Sequence, residues 1–395
     1  MIDRGLVEVV FIPQPKISVE RDPTGTDLPG TERTVREARR GVDLVLTLDR
    51  SIQYEAERAL VEQVDAIDAK GGMAVVMDVR TGDILAMATV DGETKDHAAQ
   101  PAPSTQRNRP VTDVFEPGST NKVVTIASAI EAGLVTPETT LEVPTAITVD
   151  GQKFEDVDTH GPVLSVADII RESSNVGTIL VARKLGSARF DAALRNFGFG
   201  QTTGLDFPGE APGILLPLSQ YNDTSLASMP VGNGLAVTAL QMLDVYVTLA
   251  NGGVARQPRL VAATIDADGS RLDLPLGTTR RVVSAETAAA MRQMLAGVVE
   301  DGTGTKAAVP GYSVGGKTGT ARKPPYDTPP YRYVSSFVGF APVENPRLAA
   351  IVVLDEPGTQ FFGGTVAAPV FSRIMQQALA VKRVPGSDTT LAPLP

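Results

Sequence analysis

The pair Ser119 and Lys122 is the only place in the chain where a lysine follows a serine by three positions. Residues three apart share one face of a helix, so the Lys122 amine can lie beside the Ser119 hydroxyl. A helix is predicted to begin at Ser119, after Pro117 and Gly118, and its free N–H groups and dipole favour developing negative charge. A serine nucleophile needs an adjacent base, and lysine can act as one when burial or a like charge lowers its pKa. The alternative is a helix-capping serine followed by a solvated lysine.

The triplet Ser173-Ser174-Asn175 lies at a predicted break between two helices. Serine and asparagine are common helix caps, so capping alone can explain the triplet. The same Ser-x-Asn pattern also occurs at residues 119–121, so a pattern of three residues has low specificity by itself. The triplet is therefore a candidate only in combination with other motifs.

The third motif, Lys317-Thr318-Gly319-Thr320, lies on a predicted strand directly after two glycines. Glycines let a ligand approach the backbone closely, and the edge of such a strand can bind an extended peptide. Strict alternation along a strand places Lys317 on the face opposite Thr318 and Thr320. For Lys317 to join the threonines, either the strand twists at its glycines or the lysine stem reaches around the edge. The alternative is a glycine-rich edge strand with a solvated lysine.

Residues 311–318 also match a phosphate-binding loop, Gly-x4-Gly-Lys-Thr, which makes a nucleotide-hydrolysing protein the remote alternative. Such a loop must open a helix whose N-terminus meets the phosphate. Here Gly319 follows at once, and Pro324 comes six residues after Thr318. The context therefore argues against this interpretation.

Ser313 stands at the centre of a Gly-x-Ser-x-Gly pattern, the nucleophile elbow of esterases, whose catalytic histidine follows the serine. The chain has two histidines, His97 and His160, and both precede Ser313. The esterase interpretation is therefore excluded. His97 is expected in a polar, solvated loop, and His160 as a loop or packing residue.

Composition excludes several other classes. The 36 basic and 46 acidic residues give a net charge of −10, and no Lys/Arg cluster indicates nucleic-acid binding. The absence of cysteine excludes disulfides, zinc–thiolate sites and a cysteine nucleophile. No apolar run reaches the roughly 18 residues of a membrane helix, and no signal peptide is apparent. We expect no metal and no cofactor.

The strand and helix patterns predict the elements that must hold these motifs. Strands are predicted at both ends of the chain, and helices between them. This order predicts an α/β fold (an α+β sandwich), in which one antiparallel sheet combines distant segments and carries helices on both faces. The predicted strands are 43–48, 73–78, 83–88, 313–321, 333–341 and 348–354. The predicted helices are 51–69, from 119 to about 133, from a capping box at 165–168 to about 173, 176–185, 238–250, 284–299 and 367–382.

Taken together, the Ser-x-x-Lys, Ser-x-Asn and Lys-Thr-Gly motifs form, in this order, the set of penicillin-binding proteins and serine β-lactamases. Over residues 41–382 the chain resembles the transpeptidase domain of a class B penicillin-binding protein. The resemblance implies that family's penicillin-binding transpeptidase fold for 41–382, the remnant of a non-catalytic pedestal or linker at 1–40, and a tail at 383–395. The sequence at 173–177 resembles the septal, cell-division branch. Further matching segments are 78–88, 108–109, 115–122, 302–307 and 363–371.

The resemblance implies five catalytic residues. Ser119 would attack the carbonyl between the two terminal D-alanines of a peptidoglycan stem peptide, and Lys122 would take its proton. Ser173 would relay a proton to the departing D-alanine, while Asn175 would hold Lys122 and the substrate amide. Lys317 would supply positive charge near Ser173, and its repulsion would lower the pKa of Lys122.

The same resemblance implies that Thr318, Gly319 and Thr320 bind substrate. The two threonine hydroxyls would hold the terminal carboxylate. The backbone N–H groups of Ser119 and Thr320 would form the oxyanion hole.

The implied partners are stem peptides, β-lactam antibiotics and a cell-division glycosyltransferase, with no nucleic acid. The implied location is the extracytoplasmic face of the cell membrane, through an N-terminal anchor that this chain does not contain. One rival is a serine β-lactamase, but Glu210 is followed four residues later by Ile214 instead of the expected asparagine. A second rival is a β-lactam sensor or a non-catalytic scaffold.

Overall fold

The computed structural model describes residues 6–7, 16–36, 41–92 and 107–387. His97, part of the expected N-terminal remnant and the end of the expected tail lie outside these residues. The strands are β1 (Leu6–Val7), β2 (Lys16–Ser18), β3 (Arg33–Arg36), β4 (Asp43–Leu46), β5 (Gly71–Asp78), β6 (Ile84–Asp91), β7 (Thr140–Glu142), β8 (Ala146–Val149), β9 (Gln152–Glu155), β10 (Val163–Ser165), β11 (Val254–Arg256), β12 (Val261–Ile265), β13 (Arg271–Asp273), β14 (Thr279–Arg281), β15 (Gly315–Arg322), β16 (Tyr333–Ala341) and β17 (Leu348–Asp355).

The helices lie mostly between β6 and β15 in the chain. They are α1 (Arg50–Ala66), α2 (Arg109–Thr112), α3 (Lys122–Glu131), α4 (Val166–Arg171), α5 (Asn175–Leu185), α6 (Ser187–Asn196), α7 (Asp223–Ser228), α8 (Ala239–Ala250), α9 (Ala285–Glu300), α10 (Gly363–Val366) and α11 (Ala368–Val381). No helix in the described part of the chain is long and apolar enough to cross a membrane.

A five-stranded antiparallel sheet in the order β15-β16-β17-β5-β6 forms the centre of the molecule. Strand β17 pairs with β5 from Leu348 opposite Asp78 to Asp355 opposite Gly71, which joins the two ends of the chain. The prediction of one antiparallel sheet completed by distant segments is therefore confirmed, except that the predicted strand 43–48 lies in a second sheet as β4, between β1 and β12. Strand β15 forms one edge of this sheet, so its outer side is free of a neighbouring strand.

Both faces of the sheet are buried, because alternate residues of its strands enter two separate apolar cores. On β5, Met73 and Val75 pack into the core with helices α3, α8 and α9, whereas Ala74 and Val76 pack against α1 and α11. Continuous apolar strands are expected when helices cover both faces of a sheet. The predicted α/β sandwich with helices on both faces is confirmed.

Two helix boundaries differ from the predictions by three residues. Helix α1 ends at Ala66 rather than residue 69, because Asp68 adopts a positive φ of 52° that cannot continue the helix. The helix expected to begin at Ser119 is preceded by a 3-10 turn, Gly118–Asn121, and α3 itself begins at Lys122. The capping box at Ser165 forms as predicted, with the Asp168 N–H donating to Ser165 Oγ at 3.0 Å.

Candidate active site

Ser119 lies in the 3-10 turn that precedes α3, and neighbouring segments hold this turn in place. Gly118 has a φ of +57°, and a Cβ there would lie 3.2 Å from the Thr320 carbonyl oxygen, so glycine suits the close approach. The Gly118 N–H donates to the Gly232 carbonyl at 3.1 Å. The buried Tyr246 hydroxyl donates to the Thr120 carbonyl at 3.0 Å. The turn is thereby fixed from β15, from the segment at Gly232 and from α8.

A cleft of about 820 Å³ opens above Ser119. Of the eight residues predicted for the site, it is lined by Ser119, Ser173, Asn175, Thr318 and Thr320. The other three, Lys122, Lys317 and Gly319, are buried and are not part of its lining. The structure therefore brings three motifs from distant parts of the chain to one cleft, with both lysines under its floor.

Lys122 is completely buried, and its Nζ donates to Asn175 Oδ1 at 2.7 Å and to the Ser173 carbonyl oxygen. Nζ also lies 3.2 Å from Ser173 Oγ. Burial lowers the pKa of Lys122 to about 7, although the nearby charge of Asp156 opposes the shift. A neutral amine can satisfy both obligate acceptors with its two hydrogens and keep its lone pair. Among the described residues the Ser119 hydroxyl has no hydrogen-bond partner, so Lys122 is not bonded to it in this state.

Ser173 occupies the point where the two lysines meet. Its φ of +61° lies in the left-handed region that non-glycine residues rarely adopt, and such strain costs about 1–3 kcal/mol. This conformation turns the Ser173 carbonyl toward Lys122, while its hydroxyl accepts a hydrogen bond from Lys317 Nζ at 2.8 Å. The backbone strain is thus coupled to contacts with both amines.

Lys317 is completely buried, and its Nζ lies 3.3 Å from both the carbonyl oxygen and the hydroxyl of Thr318. The Lys317 amine therefore reaches the Thr318 hydroxyl, although strict alternation along β15 places the two side chains on opposite faces. Burial and the charge of Lys122 lower the pKa of Lys317 well below its ordinary value. For Lys122 the main cause is burial, not the expected repulsion by Lys317.

Gly319 is buried and packs closely against neighbouring segments. A Cβ on Gly319 would lie 2.3 Å from Ser336 Oγ, 2.9 Å from the Pro117 carbonyl oxygen and 3.0 Å from Thr120 Cγ2. No side chain fits these distances, so glycine allows β15 to press against the turn that carries Ser119.

The two threonines of β15 are held by groups from other segments. Thr318 Oγ1 lies 3.1 Å from Thr303 Oγ1, and Thr320 Oγ1 accepts from the Gly363 N–H at 3.0 Å. Both hydroxyls face the cleft along the unpaired edge of the sheet.

Asp156 is a site residue that sequence reasoning missed. Its Oδ1 accepts the backbone N–H groups of Asn175 and, at 3.0 Å, Val176, so it caps the start of α5. Its Oδ2 accepts from Ser174 Oγ at 2.8 Å and from His160 Nε2 at 2.7 Å. No local pattern identifies this aspartate, because its partners lie up to 20 residues away in the chain.

The rival motifs do not form the structures that their chemistry requires. Residues 315–322 form an edge strand, not a loop opening a helix, which excludes the phosphate-binding loop. Ser313 Oγ is bonded to Glu344 and lies 3.0 Å from Ser387 Oγ. Glu210 accepts from the Thr203 N–H at 2.7 Å and does not line the Ser119 cleft. In the described ranges, no three His, Asp or Glu side chains converge where they could hold a metal ion.

The sequence model of the penicillin-binding protein transpeptidase domain matches residues 72–376. The penicillin-binding protein PbpB of Mycobacterium tuberculosis is 37% identical over 398 residues, covering 96% of this chain and 58% of that protein. The probable peptidoglycan D,D-transpeptidase PbpC of Pseudomonas aeruginosa is 36% identical over 357 residues, covering 89% and 61%. The chain thus spans less than two thirds of the length of these relatives.

Solved structures show the same similarity. The crystal structure of penicillin-binding protein 3 from Mycobacterium tuberculosis complexed with ampicillin has a TM-score of 0.81 and 37% identity, covering 95% of this chain and 89% of that one. A peptidoglycan synthetase from Bifidobacterium adolescentis has a TM-score of 0.82 and 30% identity, covering 96% and 69%.

Proposed function

Because the chain belongs to the penicillin-binding protein transpeptidase family, we propose that it is a serine D,D-transpeptidase that crosslinks peptidoglycan stem peptides. One observation carries the proposal. Two buried lysines meet at the hydroxyl of Ser173 beneath a cleft that Ser119 lines. Folding alone gives no reason to bury two amines together, because each loses its hydration.

Acylation begins with the neutral amine of Lys122. Ser119 Oγ attacks the carbonyl carbon between the two terminal D-alanines, and its proton passes to Lys122. The backbone N–H groups of Ser119 and Thr320 stabilise the oxyanion. The C–N bond then breaks, and the ammonium of Lys122 returns the proton through Ser173 Oγ to the departing D-alanine amine. Ser119 is left as an ester of the shortened stem peptide.

The second half of the reaction repeats these steps with an incoming amine. The amine of a neighbouring stem attacks the ester carbon and gives up its proton to Lys122. The C–O bond breaks, and the proton passes from Lys122 to Ser119 Oγ. The product is an amide crosslink.

The free edge of β15 suits the extended end of the donor peptide, because an unpaired strand offers backbone N–H and C=O groups. Thr318 and Thr320 present hydroxyls to the terminal carboxylate, and the Lys317 amine lies 3.3 Å from the Thr318 hydroxyl. Gly319 contributes by keeping this edge against the Ser119 turn.

The direct test of the nucleophile is labelling with a fluorescent penicillin, followed by peptide mapping. One of the similar structures is a complex with ampicillin, so a β-lactam is a suitable probe. We expect a single adduct on Ser119 and none in Ser119→Ala, which keeps the wild-type melting temperature because the hydroxyl has no partner among the described residues. A label on another residue, or no label on folded protein, overturns the proposal.

The β-lactamase and sensor alternatives differ from a transpeptidase in the fate of the acylated serine. A lactamase hydrolyses many equivalents of penicillin, whereas we expect one equivalent to be consumed and the adduct to persist. The position of Glu210 outside the cleft supports a slow deacylation. A sensor is acylated by penicillin but does not transfer a donor peptide to an amine. A thioester donor with a D-amino acid acceptor therefore separates sensor from transpeptidase.

For the whole protein we propose a role in septal wall synthesis at the extracytoplasmic face of the membrane, with a cell-division glycosyltransferase as partner. The support is the Ser-Ser-Asn-Val-Gly sequence at 173–177, which is typical of the septal branch. A fluorescent fusion of the full-length protein should concentrate at the division site. Uniform labelling of the side wall contradicts the septal role and leaves the chemistry of Ser119 untouched.

A further inference from the structure

His160 lies in a buried position where both ring nitrogens face hydrogen-bond acceptors. Nδ1 lies 2.7 Å from the Gly161 carbonyl oxygen, and Nε2 lies 2.7 Å from Asp156 Oδ2. The side chains of His160 and Asp156 are each only 4% exposed. A carbonyl oxygen cannot donate, and the Asp156 carboxylate already accepts from two N–H groups and one hydroxyl. Both ring nitrogens must therefore carry hydrogen, which makes His160 an imidazolium.

Asp156 connects this imidazolium to the proposed active site. Its two oxygens hold Ser174 and the backbone of Asn175, and the Asn175 side chain in turn accepts from Lys122 Nζ at 2.7 Å. The Asn175 amide also donates to the Glu155 carbonyl at 2.8 Å, next to Asp156. The segment that carries Asp156 is thereby bonded to the start of α5, and through it to Lys122.

The charged groups near His160 are two carboxylates, and one of them, Asp156, also acts on Lys122. The Gly161 carbonyl is the main cause that raises the pKa of His160, and the carboxylates of Asp156 and, at the end of α4, Glu172 add to it. The charge of Asp156 also acts on Lys122 of α3, and that of Lys122 acts on Lys317 of β15. Asp156 therefore interacts both with the imidazolium and with the amine that the proposed mechanism needs in its neutral form.

We propose that protonated His160 is a positioning residue for transacylation: it orients Asp156 and offsets the Asp156 charge, so that Lys122 is held in place and can be neutral. The proposal rests on the proposed function of Lys122 as the base. Loss of the imidazolium proton removes one of the two ring hydrogen bonds. It also leaves the Asp156 carboxylate uncompensated, which favours the charged form of Lys122.

The test is the pH dependence of Ser119 acylation by penicillin, measured in the wild type and in His160→Gln. In the wild type the rate rises as Lys122 loses its proton near pH 7. Glutamine keeps one neutral donor but no charge, so this rise should move up by about one pH unit. At pH 7 the acylation rate should drop roughly fivefold, because the neutral fraction of Lys122 falls from about one half to about one tenth.

Two further variants separate this effect from a loss of packing. Thr159→Ala alters the exposed residue next to His160 and should leave the pH profile unchanged. Asp156→Asn removes the charge, so adding His160→Gln to it should produce no upward shift. A rate that falls equally at every pH in His160→Gln, together with a lower melting temperature, indicates a structural role and overturns the proposal.

A second measurement needs neither a variant nor acylation. The chain has only two histidines, so labelled histidine Cε1 gives two resolvable NMR signals. The His160 signal should keep the chemical shift of an imidazolium up to a pH above the ordinary 6.5. A neutral His160 ring at pH 6 overturns the proposal. If instead the wild type is never acylated on Ser119, it is the proposed function that fails.

Discussion

At the scale of single residues, Ser173 is the contact that joins the three motifs. Its hydroxyl accepts from Lys317 at 2.8 Å and lies 3.2 Å from Lys122, while its carbonyl accepts from Lys122. A proton can therefore pass between the Lys122 amine and the cleft through one hydroxyl. Ser173 makes these contacts from a left-handed backbone conformation, with a φ of +61° that non-glycine residues rarely adopt.

Replacing Lys317 by alanine should slow acylation of Ser119 by about 100-fold, within the range that proton-transfer groups contribute. The substitution removes the 2.8 Å hydrogen bond to Ser173 and the amine that lies beside the Thr318 hydroxyl. Burial of an amine is unfavourable, so the melting temperature should not fall in parallel. Stopped-flow acylation by penicillin measures the rate, and Lys184→Ala, at an exposed lysine of α5, is the matched control. Unchanged kinetics in Lys317→Ala contradict the role of this amine.

Burial of Lys122 also predicts how stability depends on pH. Its pKa is about 7 in the folded protein and 10.5 ordinarily, so between these values the unfolded chain binds more protons. The free energy of unfolding should therefore rise with pH across this window, by a few kcal/mol (order of magnitude). Lys122→Met lacks this contribution, so it should be more stable than the wild type near pH 6 and lose that advantage toward pH 10. Urea unfolding at several pH values measures the difference, and a gap that does not change with pH refutes the prediction.

At the scale of elements, the site depends on how closely β15 approaches the 3-10 turn before α3. Gly319 faces the Pro117 carbonyl and the Thr120 side chain at distances that exclude a Cβ. On the turn, a Cβ on Gly118 would lie 3.2 Å from the Thr320 carbonyl oxygen of β15. The two glycines therefore set the separation between the nucleophile and the strand proposed to bind the donor peptide.

Gly319→Ala should destabilise the protein by about 1–3 kcal/mol, the usual penalty of overpacking, and should reduce acylation of Ser119 at least about tenfold. The added methyl must move β15 away from the turn, because two of the three nearest atoms are within 3 Å. Gly297→Ala in α9 is the control, since a Cβ there meets nothing within 4 Å and alanine favours a helix. Both variants are compared by urea unfolding and by stopped-flow acylation. Wild-type acylation in Gly319→Ala contradicts the proposed spacing role.

The sequence predicts elements with regular periodicity better than the contacts between them. Strands β5 and β17 are nearly continuous apolar runs, so their places in one buried sheet can be predicted from the chain alone. The 3-10 turn at Ser119 cannot, because the contacts of Gly118 with Gly232 and Thr320 impose it. Alternation places Lys317 on the face opposite Thr318, and only the structure shows that its amine reaches the Thr318 hydroxyl.

At the scale of the whole molecule, the sheet separates two apolar cores, and the proposed site belongs to one of them. Helices α3, α8 and α9 pack into the core behind Ser119, whereas α1 and α11 cover the opposite face. Strand β17, which pairs with both β16 and β5, links the two ends of the chain. Stability therefore depends on both cores, whereas the geometry of the cleft depends mainly on the first.

Leu60→Ala tests this division. Leu60 of α1 is completely buried in the opposite core, where its Cδ2 would lie 3.2 Å from a Cβ on Gly72. Its truncation should reduce the free energy of unfolding by about 2–5 kcal/mol, because it leaves a cavity that rigid strands cannot close. The rate constant for Ser119 acylation and its pH profile should stay at wild-type values well below the melting temperature. A changed pH profile in folded Leu60→Ala means that packing on the far side of the sheet reaches Lys122, and that the two layers do not act independently.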